Sequence, residues 1–144
     1  MIANTTSTRV IYGDTDMMGV AYHANYLRWF EVGRTDLFRK LGMSYREIED
    51  RGYILPVSEA HCKFINPARY DDVLLIEAAL DRTFRGGMKF DYRIHLQDEQ
   101  RLLAKGYTRH AFMDRNNKVV RPPKFINELI ETYLQLQKDK TDRI

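Results

Sequence analysis

The segment from Tyr22 to Leu41 constrains the fold most strongly, because it has the pattern of a helix that is apolar on most of its surface. Apolar residues recur in it at i, i+4, i+7, i+11 and i+15, which is the spacing of one helical face. Gly33 falls on this face, and a glycine there favours close approach of a sheet. A helix of this kind has to be covered by another layer of the protein. Its apolar residues include Tyr26, Leu27, Trp29, Phe30, Leu37, Phe38 and Leu41.

The remaining sequence predicts strands that can supply this cover. Short turns separate the predicted strands that follow the helix, and hairpin connections make neighbouring strands antiparallel. The apolar run 73–80 is expected to be covered on both faces. We therefore predict an α+β fold with the long helix against one face of the sheet, and open sheet edges that invite a second subunit. The expected strands are 8–14, 54–64, 73–80, 88–96 and 102–113.

The chain is expected to form a single domain over residues 1–144, because its length suits one ordinary hydrophobic core. A last helix is predicted at 124–138, with 138–144 as a frayed tail. Cys62 is the one cysteine, which excludes an intramolecular disulfide and disfavours a zinc site built from cysteines. No apolar run has the length of a membrane span, and the first residues have no secretory signal pattern, so a cytoplasmic location is expected.

The charge is unevenly distributed along the chain. Residues 82–124 contain eleven Lys and Arg against four Asp and Glu, whereas the whole chain has a net charge of +3. This excess indicates an anionic partner, although strand surfaces carry basic residues in many proteins. We do not expect nucleic acid, because the sequence has no basic run and no recognisable nucleic-acid-binding motif.

Two carboxylates and a glycine stand just before the long predicted helix, with His23 in its first turn, and this grouping suits acyl transfer. Free N–H groups at a helix start can stabilise an oxyanion on a carbonyl carbon. A carboxylate such as Asp16 can act as a general base or as a nucleophile. The spacing from Asp14 also resembles a calcium loop, but Met18 stands where that loop needs an oxygen ligand and Asn25 where it needs Glu, so no metal site is expected.

Residues 14–26, Asp-Thr-Asp-Met-Met-Gly-Val-Ala-Tyr-His-Ala-Asn-Tyr, resemble the signature of the 4-hydroxybenzoyl-CoA thioesterase family of hotdog-fold enzymes. They are most similar to the branch of small acyl-CoA thioesterases associated with the Tol–Pal system. Glu31 and Arg34 match the Glu-x-x-Arg step of that branch, and residues 66–72 match the family's Pro-Ala-Arg turn. The resemblance covers roughly residues 8–130. Ala21 departs from it, since the family has Val more often there.

The resemblance implies a hotdog fold, with a five-stranded antiparallel sheet wrapped around the central helix, and hydrolysis of an acyl-CoA to a free acid and CoA. Asp16 matches the catalytic aspartate, acting as nucleophile or as base on water. The backbone N–H of His23 matches the oxyanion donor, and its side chain would assist the carboxylate or the water. Tyr22 would line the pocket, and Gly19 would let the loop pack against the acyl group. Asp14 is expected to be structural.

Further expectations concern the substrate and the assembly. The pocket is expected to include Met17, Met18, Phe64 and Phe90, while the length and identity of the acyl group stay open. The implied site lies at the interface of a homodimer or homotetramer, and no cofactor is expected beyond the CoA of the substrate. The alternative is a non-catalytic protein that binds acyl carrier protein or scaffolds lipid metabolism. The basic residues that could meet the CoA phosphates are Arg82, Arg85, Lys89, Arg109, Arg115, Lys118 and Arg121.

Overall fold

A five-stranded antiparallel sheet packs around one long helix in the computed structural model, which describes residues 1–99 and 101–143. The helix is α1, Asn25–Leu41, and the strands follow the order β1-β3-β4-β5-β2 across the sheet. The predicted α+β architecture, with five antiparallel strands, a central helix and a C-terminal helix, is confirmed. In chain order the strands are β1 (Ala3–Arg9), β2 (Val57–Phe64), β3 (Val73–Leu80), β4 (Met88–Leu96) and β5 (Leu102–His110).

The smaller elements surround this central layer. Helix α2, Tyr45–Asp50, opens with a capping box in which the Glu47 N–H donates to the Ser44 hydroxyl. Strands β6 (Phe112–Met113) and β7 (Val119–Val120) form a separate two-stranded ribbon. Helix α3 runs over Lys124–Asp142, beyond the predicted end at residue 138. Among the residues described, no helix is both long and apolar enough to span a bilayer.

The core lies between α1 and the inner face of the sheet. Phe30 stacks on Tyr92 with ring centroids 4.2 Å apart, and Phe38 meets Phe90 edge-on. A Cβ atom on Gly33 would lie 2.8 Å from the Cγ2 methyl of Ile76. The close approach predicted from Gly33 is therefore real: the helix backbone rests on β3.

We expect Gly33→Ala to lower the free energy of unfolding by up to about 2 kcal/mol. The added methyl overpacks the core against the fully buried Ile76, which costs about 1–3 kcal/mol. A gain of about 1 kcal/mol from the better helix propensity of alanine offsets part of that cost. Urea unfolding at fixed protein concentration measures the difference. A variant more stable than wild type would show that the helix can move away from β3.

The elements flanking the candidate site begin later or end earlier than predicted. The strand expected at 8–14 is β1, which ends at Arg9, and Tyr12–Asp14 form a 3-10 turn. Helix α1 begins at Asn25 and not at Tyr22, because the Tyr22 N–H donates to the backbone oxygen of Asp14. This hydrogen bond ties the first predicted helical residue to the loop.

Two further strand predictions were partly wrong. The run 102–113 breaks after His110, and its last residues belong to β6. β3 is not covered on both faces, because its residues alternate between buried and half-buried as in a sheet with one packed face. The predicted turn at 97–101 includes Gln100, which lies outside the described residues.

Strand β2 forms one edge of the sheet and pairs with β5 alone among the described strands. It begins after Pro56, which lacks the N–H that a ladder needs. Both of its ends carry solvent-exposed apolar side chains, with Val57 48% exposed and Phe64 51% exposed. An open edge of this kind is a pairing surface for another strand.

Candidate active site

The loop that carries Asp16 is folded back on itself before α1. The Asp16 N–H donates to the Val20 oxygen and the Gly19 N–H donates to the Asp16 oxygen, both at 3.0 Å. Gly19 has a φ of +79°, a conformation that other residues rarely adopt. Apart from its two chain neighbours, no described residue has an atom within 4 Å of a Cβ built on Gly19, so the turn itself requires the glycine. Its expected contact with an acyl group stays a prediction.

The Asp16 carboxylate is half-buried and lightly held. Its Oδ1 accepts the Met18 N–H at 2.9 Å. Among the described residues, it forms no ion pair. A carboxylate without a protein cation keeps its lone pairs available for a water molecule or a carbonyl carbon.

The sequence predicted His23 in the first turn of the helix. In the structure it lies in the turn just before α1. The Tyr22 and His23 oxygens accept the N–H groups of Asn25 and Tyr26, which makes this turn tighter than a helix. Within residues 1–99 and 101–143, the N–H groups of His23 and Ala24 donate to no protein acceptor. They are free donors at the positive end of a long helix.

Asp16 and His23 line the same pocket, which has a volume of about 290 Å³. The rest of its wall is largely apolar and comes from the loop, from α1 and from the end of β2. Phe64 closes one side, with its ring edge-on to those of His23 and Tyr26. The pocket thus brings the Asp16 carboxylate together with His23 beside a largely apolar surface. Its other lining residues include Met18, Val20, Ala21, Ile65 and Pro67.

The structure separates the other predicted pocket residues. Met18 and Phe64 line the pocket, whereas the Met17 side chain is fully exposed and outside it. Tyr22 is also outside the lining and packs against the His23 ring. Phe90 does not line the pocket, because it faces the core. Contacts of Met17 and Tyr22 with substrate stay predictions.

Sequence reasoning missed Tyr26 as a pocket residue, since its helical spacing marked it as core. Its ring is buried in α1, yet its hydroxyl accepts the Ala68 N–H at 3.4 Å beside the pocket. Sequence reasoning also missed the polar contacts of Asn25 and Arg28, because their partner lies in the loop, far away in sequence. Burial raises the pKa of the Cys62 thiol to about 11, which disfavours the reactive thiolate.

Five of the seven candidate basic residues fall into two groups, and Arg115 and Lys118 lie outside both, with Arg115 donating to the backbone oxygen of Asp50. Lys89 is paired with Asp81 and Asp91, and Arg109 with Glu59, so their charges are already matched within the chain. A second group meets in a cleft of about 580 Å³ between the β3–β4 turn and α3. This cleft lies at the end of the sheet opposite to Asp16. Its three arginines are Arg82, Arg85 and Arg121.

Known proteins share this sequence pattern and fold. The sequence model of the thioesterase-like superfamily matches residues 10–130. The acyl-CoA thioesterase YbgC of Haemophilus influenzae is 31% identical over 107 residues, which cover 74% of this chain and 77% of the relative. The 4-hydroxybenzoyl-CoA thioesterase of a Pseudomonas strain is 33% identical over 79 residues, covering 53% and 56% of the two chains.

Solved structures agree with this assignment. The DHNA-CoA thioesterase from Staphylococcus aureus superposes with a TM-score of 0.85 at 28% identity, covering 100% of this chain and 97% of that one. With the superfamily model spanning most of its length, the chain belongs to the thioesterase-like superfamily and is a hotdog-fold thioesterase.

Proposed function

We propose that this thioesterase hydrolyses acyl-CoA thioesters to a carboxylic acid and free CoA, with Asp16 as its catalytic carboxylate. One observation supports the proposal most: Asp16 and His23 line the same largely apolar pocket, and the N–H of His23 has no acceptor among the described residues. The Haemophilus relative is named as an acyl-CoA thioesterase, in keeping with this substrate class. A cytoplasmic location and a reaction without metal or redox cofactor belong to the same proposal.

The residues permit two routes. Asp16 can take a proton from water, so that the resulting hydroxide attacks the thioester carbonyl carbon. Alternatively, Asp16 attacks that carbon, expels the CoA thiolate and forms an acyl anhydride that water then cleaves. In both routes negative charge gathers on the carbonyl oxygen, where the N–H of His23 can donate a hydrogen bond.

A second copy of this chain is the proposed partner, and β2 is the proposed contact. A two-fold axis would pair the two β2 strands antiparallel, because each strand then meets itself in reverse. The Phe64 end of one β2 would lie beside the Val57 end of the other. Pairing would cover these exposed apolar side chains and the open edge. Pairing of two such dimers would give the tetramer, the other assembly expected.

This dimer would also bring the arginine cleft to the active site. Within one chain, Asp16 and the cleft lie at opposite ends of β2, about 23 Å apart for seven residues of strand. In the dimer, the partner's cleft would lie at the same end of the paired β2 strands as Asp16. It would be about 10 Å from the partner's own β2, because two strand spacings separate β4 from β2. Arg82, Arg85 and Arg121 of the partner subunit are therefore our candidates for the CoA phosphates.

A panel of acyl-CoA substrates tests the activity. The relatives' names include both aryl and unspecified acyl substrates. The panel therefore contains straight-chain, branched and hydroxyaryl acyl-CoAs. It also contains acyl carrier protein loaded with the same acyl groups. We expect release of free thiol from at least one acyl-CoA, and sedimentation as a dimer or tetramer. No turnover on any substrate, with binding of acyl carrier protein intact, would favour the scaffold function instead.

We expect Arg85→Ala to raise KM for the best acyl-CoA about 10-fold and to leave kcat nearly unchanged. Arg85 has no carboxylate partner in the described part of the chain, whereas Arg82 lies 4.0 Å from Glu131. Losing one charge-assisted contact to a phosphate costs about 1.5–3 kcal/mol of binding. The acyl-pantetheine with the same acyl group lacks the nucleotide and provides the control, since its KM should not change.

Mixed dimers test whether the cleft acts across the interface. A dimer of one Asp16→Asn subunit and one Arg85→Ala subunit has one fully intact site if the arginine is supplied by the partner. It should then show the wild-type KM at about half of the wild-type kcat per dimer. If the KM stays raised as in Arg85→Ala, the arginine acts within its own subunit and the proposed arrangement is wrong.

A further inference from the structure

We infer that Asn25 and Arg28 are positioning residues for the hydrolysis, acting through Asp14 to hold Asp16 and the His23 N–H in register. This inference rests on the proposed role of Asp16. None of these three residues lines the pocket. Asp14 belongs to the loop that carries Asp16, and Asn25 and Arg28 both donate hydrogen bonds to Asp14. We call Asp14, Asn25 and Arg28 the Asp14 anchor.

The backbone oxygen of Asp14 connects the two halves of the site. It accepts the Tyr22 N–H at 2.8 Å and the side-chain amide of Asn25 at 2.7 Å. Tyr22 immediately precedes His23, and Asp14 lies two residues before Asp16. A shift of this one carbonyl group therefore changes the distance between the carboxylate and the free N–H. Asn25 fixes it from the first residue of α1.

The carboxylate of Asp14 holds the same segment from its other side. The residue is only 5% exposed, and its Oδ2 accepts the Ile11 N–H at 3.0 Å. Its Oδ1 accepts a hydrogen bond from the Arg28 guanidinium, which neutralises the buried charge. Among the described ion pairs, this is the one that links α1 to the loop.

Arg28 also acts through its charge. Without the guanidinium, the buried carboxylate of Asp14 would be left uncompensated two residues from Asp16. It would then either draw the loop toward solvent or oppose the negative charge that develops on the thioester oxygen. Both effects fall on the transition state, since neither Asp14 nor Arg28 touches the pocket in which the substrate binds.

Three variants and a matched control test the inference. In Arg28→Met we expect kcat to fall about 10- to 100-fold, the scale of a small misplacement of reacting groups, with KM nearly unchanged. Arg28→Lys should restore most of the loss. Asp14→Asn combined with Arg28→Met should recover part of it, because no unpaired charge then remains. Arg39→Met removes another Arg–Asp pair of α1, the pair with Asp36, and should leave kcat unchanged.

Hydrogen exchange separates failure of this inference from failure of the proposed function. The amides of Met18 and Tyr22 should exchange faster in Arg28→Met than in wild type and in Arg39→Met, whether or not a substrate is known. If wild type shows no turnover, the proposed function fails while exchange still tests the anchor. If Arg28→Met has a lower unfolding temperature but normal kcat and exchange, Arg28 is only structural and the inference is overturned.

Discussion

Asp16→Asn should lose at least about 100-fold in kcat on every acyl-CoA that the wild-type protein hydrolyses, which is the lower end for a positioned acid–base group. The amide is nearly the same size as the carboxylate, and its oxygen can still accept the Met18 N–H. It can neither accept a proton from water nor act as an anionic nucleophile. Steady-state release of free thiol measures the loss.

The controls for Asp16→Asn separate chemistry from binding and folding. KM should stay within a few-fold of wild type, because Asn keeps the size of the side chain in the pocket and the arginine cleft is unchanged. Asp98→Asn, in the exposed turn after β4, should keep full activity. Equal kcat in wild type and Asp16→Asn would remove Asp16 from the mechanism, while leaving the family membership of the chain intact.

The second large effect concerns the acid stability of the core, through His110. This histidine is 2% exposed, and its Nδ1 lies 3.1 Å from the Leu55 oxygen, so Nδ1 carries the proton and donates. Its Nε2 must then accept the Thr108 hydroxyl, 2.8 Å away. Thr108 in turn accepts the Tyr92 hydroxyl at 2.6 Å. Every member of this chain is satisfied only while His110 is neutral.

Burial lowers the pKa of His110 to about 4, from 6.5 for an exposed histidine. Between these pH values the unfolded chain binds a proton at His110 that the folded chain does not bind, so the free energy of unfolding rises with pH. The contribution is fully present above pH 6.5 and is lost as the pH falls through 4. A difference of this size corresponds to about 3 kcal/mol of the free energy of unfolding.

Urea unfolding at several pH values between 4 and 7 measures this slope at fixed protein concentration. In His110→Gln the slope over this range should flatten, since the amide can donate to Leu55 and accept from Thr108 without titrating. His61→Gln removes a histidine that is already exposed on β2, and should keep the wild-type slope. An unchanged slope in His110→Gln would show that other groups cause the acid sensitivity.

Local patterns predicted much of the architecture. The alternation over residues 88–96 is β4 with its predicted bounds, and Gly42 ends α1 with a φ of +109°. The Ser44-x-x-Glu47 spacing is that of a capping box, and it begins α2. These features depend on neighbours within a few residues, so the sequence contains the information directly.

The predictions that failed depend on residues far apart in the chain. Whether α1 begins at Tyr22 or Asn25 is decided by a hydrogen bond to Asp14, and no helix propensity includes that partner. The position of β1 depends on its register with β3, in which Ala3 faces Ala79. Phe90 is expected in the pocket from the sequence, yet its side of β4 faces α1.

The sequence by itself determined which groups are available: the carboxylate of Asp16, the turn glycine Gly19, the apolar helix and an excess of basic residues. Residue type and short-range spacing are sufficient for that. Only the tertiary structure decided which of these groups meet. It placed Asp16 beside His23 in one pocket and Arg85 at the opposite end of the sheet. Strand order and register set these distances, and a linear sequence does not contain them.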